Sequence, residues 1–452
     1  MSVTKVKKMA AEFALEQTVR QIAANPEKNL PRLLTFAEKL AVYPGHKENI
    51  RRLRDRIEGD PLITTQARRF AINAKMISNF MINWAANSIM TGRSVREAYA
   101  EELGVHVPDA ILIDPTAGCN LQCSGCWAGE YDQAESLEPA LIHRVIDEAK
   151  KLGIYWIIFS GGEPFCYPGL MDIVEKHPEV GFMAYTNGTL IDDETADRLK
   201  EAANFTLAFS LEGFKEETDA RRSEGTFDKI MQAMDLLAER GVFFGASLTT
   251  TKDNVDILFS DEFIDFLVEK GVLYIWNFHY MPIGRKPSTD LMISAKQRRF
   301  LAERVPQLRS EKPVMIIDFW NDGEHPGGCI AGGRLYLHIN ASGGVEPCAF
   351  VHFSTTNIRE VSLKEALKNP LFCEFQHRQP FSSNHLAPCP IIDNPRALRE
   401  MVKKTGAVPT HPGANELLGG KIASELDQKA AAWHKEATEI KRQKKREASA
   451  GV

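Results

Sequence analysis

Three cysteines, Cys119, Cys123 and Cys126, stand within eight residues of the segment DPTAGCNLQCSGCWAGEY, spaced Cys-x3-Cys-x2-Cys. Three thiolates on one short loop can wrap three corners of a [4Fe–4S] cube and leave the fourth iron without a protein ligand. An open position is what lets a metal centre bind and activate a small molecule. A ferredoxin loop would instead run Cys-x2-Cys-x2-Cys and close the cube with a distant fourth cysteine. A zinc ribbon would pair two Cys-x2-Cys knuckles, which are absent. Three inert core thiols are a poor reading, because Asn, Gln, Ser and Gly surround them.

The loop needs elements to hold it. From residue 111 short apolar runs alternate with amphipathic helices: ILIDPT, YWIIFS, GFMAYT, FTLAFS, VFFGASLTT and LYIWNFHY. Six strands alternating with helices predict βα units, a parallel sheet and helices outside it. Right-handed crossovers curl such units into a partial (β/α)6 barrel of the TIM type, an α/β fold with chemistry at the carboxyl ends of its strands. The cysteine loop follows the first strand directly.

Further segments follow the next strands. FSGGEP places Gly161, Gly162 and Glu163 after the second: glycines allow close backbone approach, and the carboxylate accepts from an ammonium group. Asn187 and Gly188 follow the third, and SLEGFKEETDARR the fourth. Over about residues 108–290 this chain resembles the radical S-adenosylmethionine (SAM) superfamily. The resemblance implies that the open iron chelates the methionine part of SAM. It further implies reductive cleavage to a 5′-deoxyadenosyl radical, which takes a hydrogen atom from a substrate. Gly161, Gly162 and Glu163 would then meet the methionine amine, with Asn187 on the same rim. Ser210 suits the ribose or carboxylate of SAM. Arg222 suits the carboxylate through its planar fork, with a surface salt bridge as the equal alternative. Gly213 and Asp219 match the family stretch, whereas Glu212 and Thr218 depart from it. Ser247 and Thr249 alternate on one face of the fifth strand toward the ribose, and YMPIGR resembles the loop that reads adenine. Gly125 stands where the family commonly has an aromatic residue; Trp127 is the nearest ring. Cys166 reads as a spare thiol.

Four cysteines remain, Cys329, Cys348, Cys373 and Cys389. The run from Cys329 through Gly343 to Cys348 resembles the opening of the SPASM and twitch extensions, which hold auxiliary iron–sulfur clusters. A full SPASM has about seven cysteines; four suit one auxiliary [4Fe–4S] cluster, with a zinc site or a disulfide pair as alternatives. RLYLHINASGGVEPCAF reads as a hairpin around Gly343 and Gly344. Upstream, Asp318, Asp322, Glu324 and His325 offer carboxylates for a substrate proton or polar head group, although a loop satisfying its own backbone is the stronger reading. No catalytic residue is assigned.

The chain has 452 residues, net charge −5 and 44% hydrophobic residues. This balance gives no pull toward nucleic acid. The start, MSVTKVKKMAAEFALEQ, reads as an amphipathic helix rather than a signal peptide, and predicts a cytoplasmic protein. Four regions are expected: a helical domain over 1–105, the barrel over 106–311, a reduced SPASM or twitch-like domain over 312–410, and a helix with a basic, frayed tail over 411–452. Between Lys75 and Arg93 lie 17 uncharged residues, MISNFMINWAANSIMTG. They are too short and polar to span a bilayer; a buried helix is favoured over one that touches a membrane surface or grips an apolar substrate. Expected partners are SAM, a reductant such as flavodoxin or ferredoxin, and a peptide, protein or lipid-type substrate. A non-catalytic iron–sulfur electron carrier is the rival reading.

Overall fold

The computed structural model describes residues 73–450 continuously and scattered positions between 25 and 55. The expected first helix and most of the 1–105 domain lie outside the described residues.

The strand runs pair as expected, and further. β1 (Ala110–Ile113), β2 (Trp156–Phe159), β3 (Gly181–Thr186), β4 (Phe205–Leu211), β5 (Phe244–Thr250), β6 (Tyr274–His279) and β7 (Met315–Asp318) are consecutive parallel neighbours. β8 (Tyr336–Ile339) lies parallel to β1 at the other edge, and β9 (Val345–Glu346) returns antiparallel to β8. The expected six-stranded unit is therefore extended at both ends. β7 and β8 come from the region read as a separate domain, because free sheet edges at β6 and β1 offer unpaired backbone groups that a strand can satisfy.

Helices cover the outer face. Apolar residues on that side of the strands form a continuous core in which Phe159 stacks on Phe182 at 5.6 Å and meets Phe205 edge-on. Each fully buried ring stabilises the fold by about 1.5–3 kcal/mol. Local signals set the helix limits. Asp192 and Ser260 cap the helices Asp193–Ala202 and Asp261–Lys270 by accepting from Thr195 and Phe263 amides.

The uncharged run before the barrel is helical, with the wide turns of a π-helix over Met81–Gly92. Its asparagines explain where it sits. Asn79 donates to the Ala202 carbonyl, Asn83 to those of Pro178 and Val180, and Asn87 to that of Glu179. These carbonyls precede β3 and β4, so the helix clamps the end of the barrel opposite the cysteine loop. Its amides thus serve the barrel. At the other terminus the body of the helix Gly420–Ala450 packs on the protein. Trp433 donates to the Leu386 carbonyl, and the Arg298 guanidinium lies 4.1 Å from its ring. Among the described residues no helix is long and apolar enough to cross a membrane.

Candidate active site

The cysteine loop leaves β1 and is held from three sides. On the first, the backbone after β2 runs against it: Gly162 N–H donates to the Thr116 carbonyl at 3.0 Å and Glu163 N–H to that of Gly118 at 2.9 Å. A Cβ on Gly162 would lie 2.1 Å from the Gly118 oxygen, and Gly161 has φ +97° with the Asp114 side chain 2.7 Å from where its Cβ would stand. The two glycines are thus required by contact with the cysteine loop, a role additional to approaching a ligand.

The second support comes from the helix after β4. Glu212 is buried and receives both neighbouring arginines: Arg222 as a fork at 2.6 and 2.7 Å, and Arg221 at 2.6 Å. Burial would raise this carboxyl, but Arg222 and Arg221 hold it below its ordinary range. Arg221 also donates to the carbonyls of Ser124 and Gly125. Arg222 reaches 4.0 Å from Cys123 Sγ. Arg222 is thus a buried partner of Glu212 on the cavity wall, not a surface salt bridge. Arg221 was missed, because two adjacent arginines carry no periodic signal of which one turns inward.

The third support is the turn after β6. Arg285 N–H donates to the Cys126 carbonyl at 2.9 Å. Tyr280 lies so close to Gly125 that a Cβ there would come within 2.7 Å of its ring. The aromatic residue absent from position 125 is thus replaced in space by Tyr280. Trp127 has His338, Phe350 and His352 around its ring.

These elements enclose a cavity of about 390 Å³. Cys119, Cys123, Cys126, Gly161, Gly162, Glu163, Asn187, Ser210, Arg222, Ser247 and Thr249 all line it. The same cavity reaches Cys329, Cys348 and Cys389. Asn187 Nδ2 donates to Asn120 at 2.8 Å, and its backbone N–H to Glu163 at 2.7 Å. Glu163 also accepts from the Thr186 hydroxyl at 2.7 Å, yet burial still pushes its carboxyl upward.

Known families match this layout. The radical SAM superfamily model matches residues 113–258, and the iron–sulfur cluster-binding SPASM model matches residues 329–390. The chain is a radical SAM enzyme with a SPASM domain. It is 25% identical to an AdoMet-dependent heme synthase of Methanosarcina barkeri over 293 residues, 58% of this chain and 83% of that one. An Fe-coproporphyrin III synthase of the same organism is 33% identical over 230 residues, 48% of this chain and 57% of its own length. In fold, the chain is similar to Streptococcus suis SuiB bound to precursor peptide SuiA, with TM-score 0.56 at 18% identity, covering 66% and 74% of the two chains.

The cofactors of this radical SAM enzyme are a SAM-bound [4Fe–4S] cluster and an auxiliary iron–sulfur cluster, and the sulfurs fit them. Cys119 Sγ accepts from Leu121 N–H at 3.5 Å, and Cys126 from Ala128. In the SPASM domain Cys348 accepts from Phe350 and Cys389 from Ile391, both at 3.4 Å, and Cys329 from Ala331. Amide donation two residues on recurs in both sets, as suits thiolate ligands. Burial pushes Cys119 and Cys329 up to about 12, and Cys348 to about 11; iron would supply the charge that keeps them ionised. Among the described residues no three His, Cys, Asp or Glu side chains converge to hold a single metal ion. All eight cysteines are free, which removes the disulfide alternative.

Cys373 is placed differently from the other three cysteines of the expected set. It sits on the helix Pro370–Arg378, outside the cavity lining, with its thiol donating to the Lys368 carbonyl at 3.6 Å. A helix start capped by Asn369 turns it there. Cys166 also lies off the cavity wall. Asp322 is bound by Arg309, and Glu324 lies 3.8 Å from Lys444; with His325 they line a separate small cavity. Asp318 is buried 3.4 Å from His279, which lines the main cavity. His279 had no sequence signal, being one polar residue in an apolar strand.

Proposed function

We propose that this radical SAM enzyme takes a hydrogen atom from an apolar segment of its substrate, either a lipid-type chain or an apolar side chain of a peptide or protein. The wall of the cavity carries the reading. Leu112, Trp156, Ile158, Tyr185, Trp276, Phe278, Phe319, Trp320 and Phe350 line it. Polar side chains gather near the SAM residues instead. Apolar surface entering such a space gains about 25 cal/mol per Å², whereas a polar segment would lose water without partners.

When bound, the cluster with SAM supplies the 5′-deoxyadenosyl radical, fed by a reductant such as flavodoxin or ferredoxin. The chain's own residues orient the substrate and exclude water. A lipid substrate would bring peripheral membrane contact with it. A pure electron carrier has no use for a ligand cavity of this size.

The test is anaerobic incubation with SAM and dithionite, adding separately a lipid extract, a peptide fraction and a fraction of small polar metabolites. The lipid or peptide fraction should stimulate 5′-deoxyadenosine formation and yield a species of changed mass. Stimulation by the polar metabolites alone would overturn the reading.

A further inference from the structure

A second cavity, of about 220 Å³, adjoins the first and shares His279 and Tyr280 with it. Arg298 and Lys429 are the charged residues of its lining, and among the described residues no carboxylate lines it. Arg298 is already engaged, by Asp393, by Asn321 and by the carbonyls of Trp320 and Leu386. Lys429 is not. It is half-buried on the helix Gly420–Ala450, and no acid among the described residues pairs with it. The acids near it on that helix turn elsewhere: Glu425 to Thr289, Asp427 to Arg399 and Glu436 to Arg299.

The lysine has a second donor beside it. Ile293, Ser294 and Ala295 also line the cavity, which places there the N-terminus of the 17-residue helix Ala295–Glu311. The capping box of this helix uses the amides of Ser294 and Gln297, whereas the Ala295 N–H has no acceptor within the helix. The first turn of a helix carries partial positive charge and receives anions.

His279 is the independent sign of a ligand. It is only 2% exposed, and neither ring nitrogen has a hydrogen-bond partner. The nearest acceptor, Asp318 Oδ1, lies 3.4 Å from Nε2. A buried polar group on a cavity wall costs free energy until something in the cavity meets it. The rest of the lining is apolar, with Met292, Ile392 and Trp433 opposite in character to the cationic end.

We infer that this second cavity binds an anionic head group, a carboxylate or a phosphate, at the end of an apolar chain. Lys429 and the Ala295 amide receive the anionic oxygens, and Met292, Ile392 and Trp433 receive the first carbons of the chain. The volume is below the ~300 Å³ at which pockets begin to enclose a whole drug-sized ligand, so the cavity takes one end of a longer molecule. This deepens the function proposed above and rests on it for one point, that the chain continues past His279 and Tyr280 into the main cavity as the substrate. The substrate is then an apolar chain with an anionic end, not a neutral hydrocarbon or a cationic segment.

The test is calorimetric titration of SAM-saturated holoenzyme with octanoate, octyl phosphate, octylamine and octanol. At least one of the two anions should bind about tenfold or more tightly than the amine and the alcohol, as a charged hydrogen bond would give. Whichever anion binds better distinguishes a free carboxylate from a phosphate head group. Lys429→Met should weaken the anions by about tenfold. Ala432→Trp, at an exposed helix position on the cavity lining, should weaken them by filling the space. Lys435→Met, exposed on the same helix and outside the lining, should change nothing.

Octylamine or octanol binding as tightly as both anions would overturn the inference. So would anion binding that ignores both Lys429→Met and Ala432→Trp. None of these titrations requires turnover. Absent anion binding leaves the apolar-substrate reading standing, and a polar substrate found by turnover leaves the anion site standing.

Discussion

His338 on β8 sets its Nε2 2.9 Å from Asp114 Oδ2, at the end of β1, and its Nδ1 2.7 Å from Glu346 on β9. All three groups are buried. Asp114 in turn accepts from Ser160 at 2.7 Å, the residue before the two glycines. One imidazolium therefore ties the SPASM hairpin to the strand that launches the cysteine loop.

The first prediction concerns pH. Burial disfavours the charge on His338, but Asp114 and Glu346 outweigh it and raise the imidazole from 6.5 to about 10. A folded value above the unfolded one contributes stability that is fully present below pH ~6.5 and is lost as pH rises through about 10. The melting temperature of the holoenzyme should fall between pH 7 and 10 more steeply than that of His338→Gln. Removing one member of a buried charged set costs about 3–5 kcal/mol, so the variant should also melt lower at pH 7. Parallel melting curves with equal slopes against pH would count against the assignment.

Gly162→Ala should be far more damaging than its size suggests. The added methyl meets the backbone oxygen of Gly118, which cannot move without shifting the cysteine loop. Iron content at the first site and 5′-deoxyadenosine formation should fall together, by about tenfold or more if the shift displaces reacting groups by ~1 Å. Normal iron content with normal cleavage would show that the loop tolerates the shift.

Glu212→Gln leaves Arg221 and Arg222 without their shared carboxylate in a buried place. An uncompensated buried charge costs about 3–5 kcal/mol. We expect weaker cluster retention and slower SAM cleavage, with the loss larger at low ionic strength than a mere packing defect would give. Quantifying iron and 5′-deoxyadenosine at two salt concentrations checks it.

Cysteine substitutions should divide the two domains. Cys126→Ala should abolish reductive SAM cleavage, since two thiolates do not retain the reactive cube. Cys348→Ala should lower product formation more than substrate-free 5′-deoxyadenosine formation under dithionite. The parent should hold about eight irons for two cubes, and Cys373→Ala should hold as many. Equal loss of both activities in a well-folded Cys348→Ala would mean that the SPASM domain supports the first cluster.

Asn83→Leu tests the clamp beneath the barrel. It removes the donor to two carbonyls, of Pro178 and Val180, and should destabilise by about 1–3 kcal/mol. Urea unfolding would measure it, with SAM cleavage per folded molecule unchanged because the clamp lies at the far end of the strands.

The cysteine spacing, the alternation of apolar runs with amphipathic helices, and the turns after each strand are local features, and local features are legible in a single chain. They were enough for the parallel barrel, for the reactive loop and for the glycine-rich segment beside it. What they could not convey was which distant residue fills a given space. That Tyr280 stands against Gly125, that Arg221 braces the loop from the far side of Glu212, and that His279 faces the cavity all depend on strands brought together from positions far apart. The second cysteine set shows the same division. Four cysteines in one stretch look equivalent as letters, since spacing across long loops constrains distance only weakly. Folding turned Cys329, Cys348 and Cys389 toward a common wall and capped Cys373 into a helix that faces elsewhere. The six expected strands are all present, and the sheet extends beyond them for a related reason: β7 and β8 pair with its open edges, whose backbone groups must be satisfied.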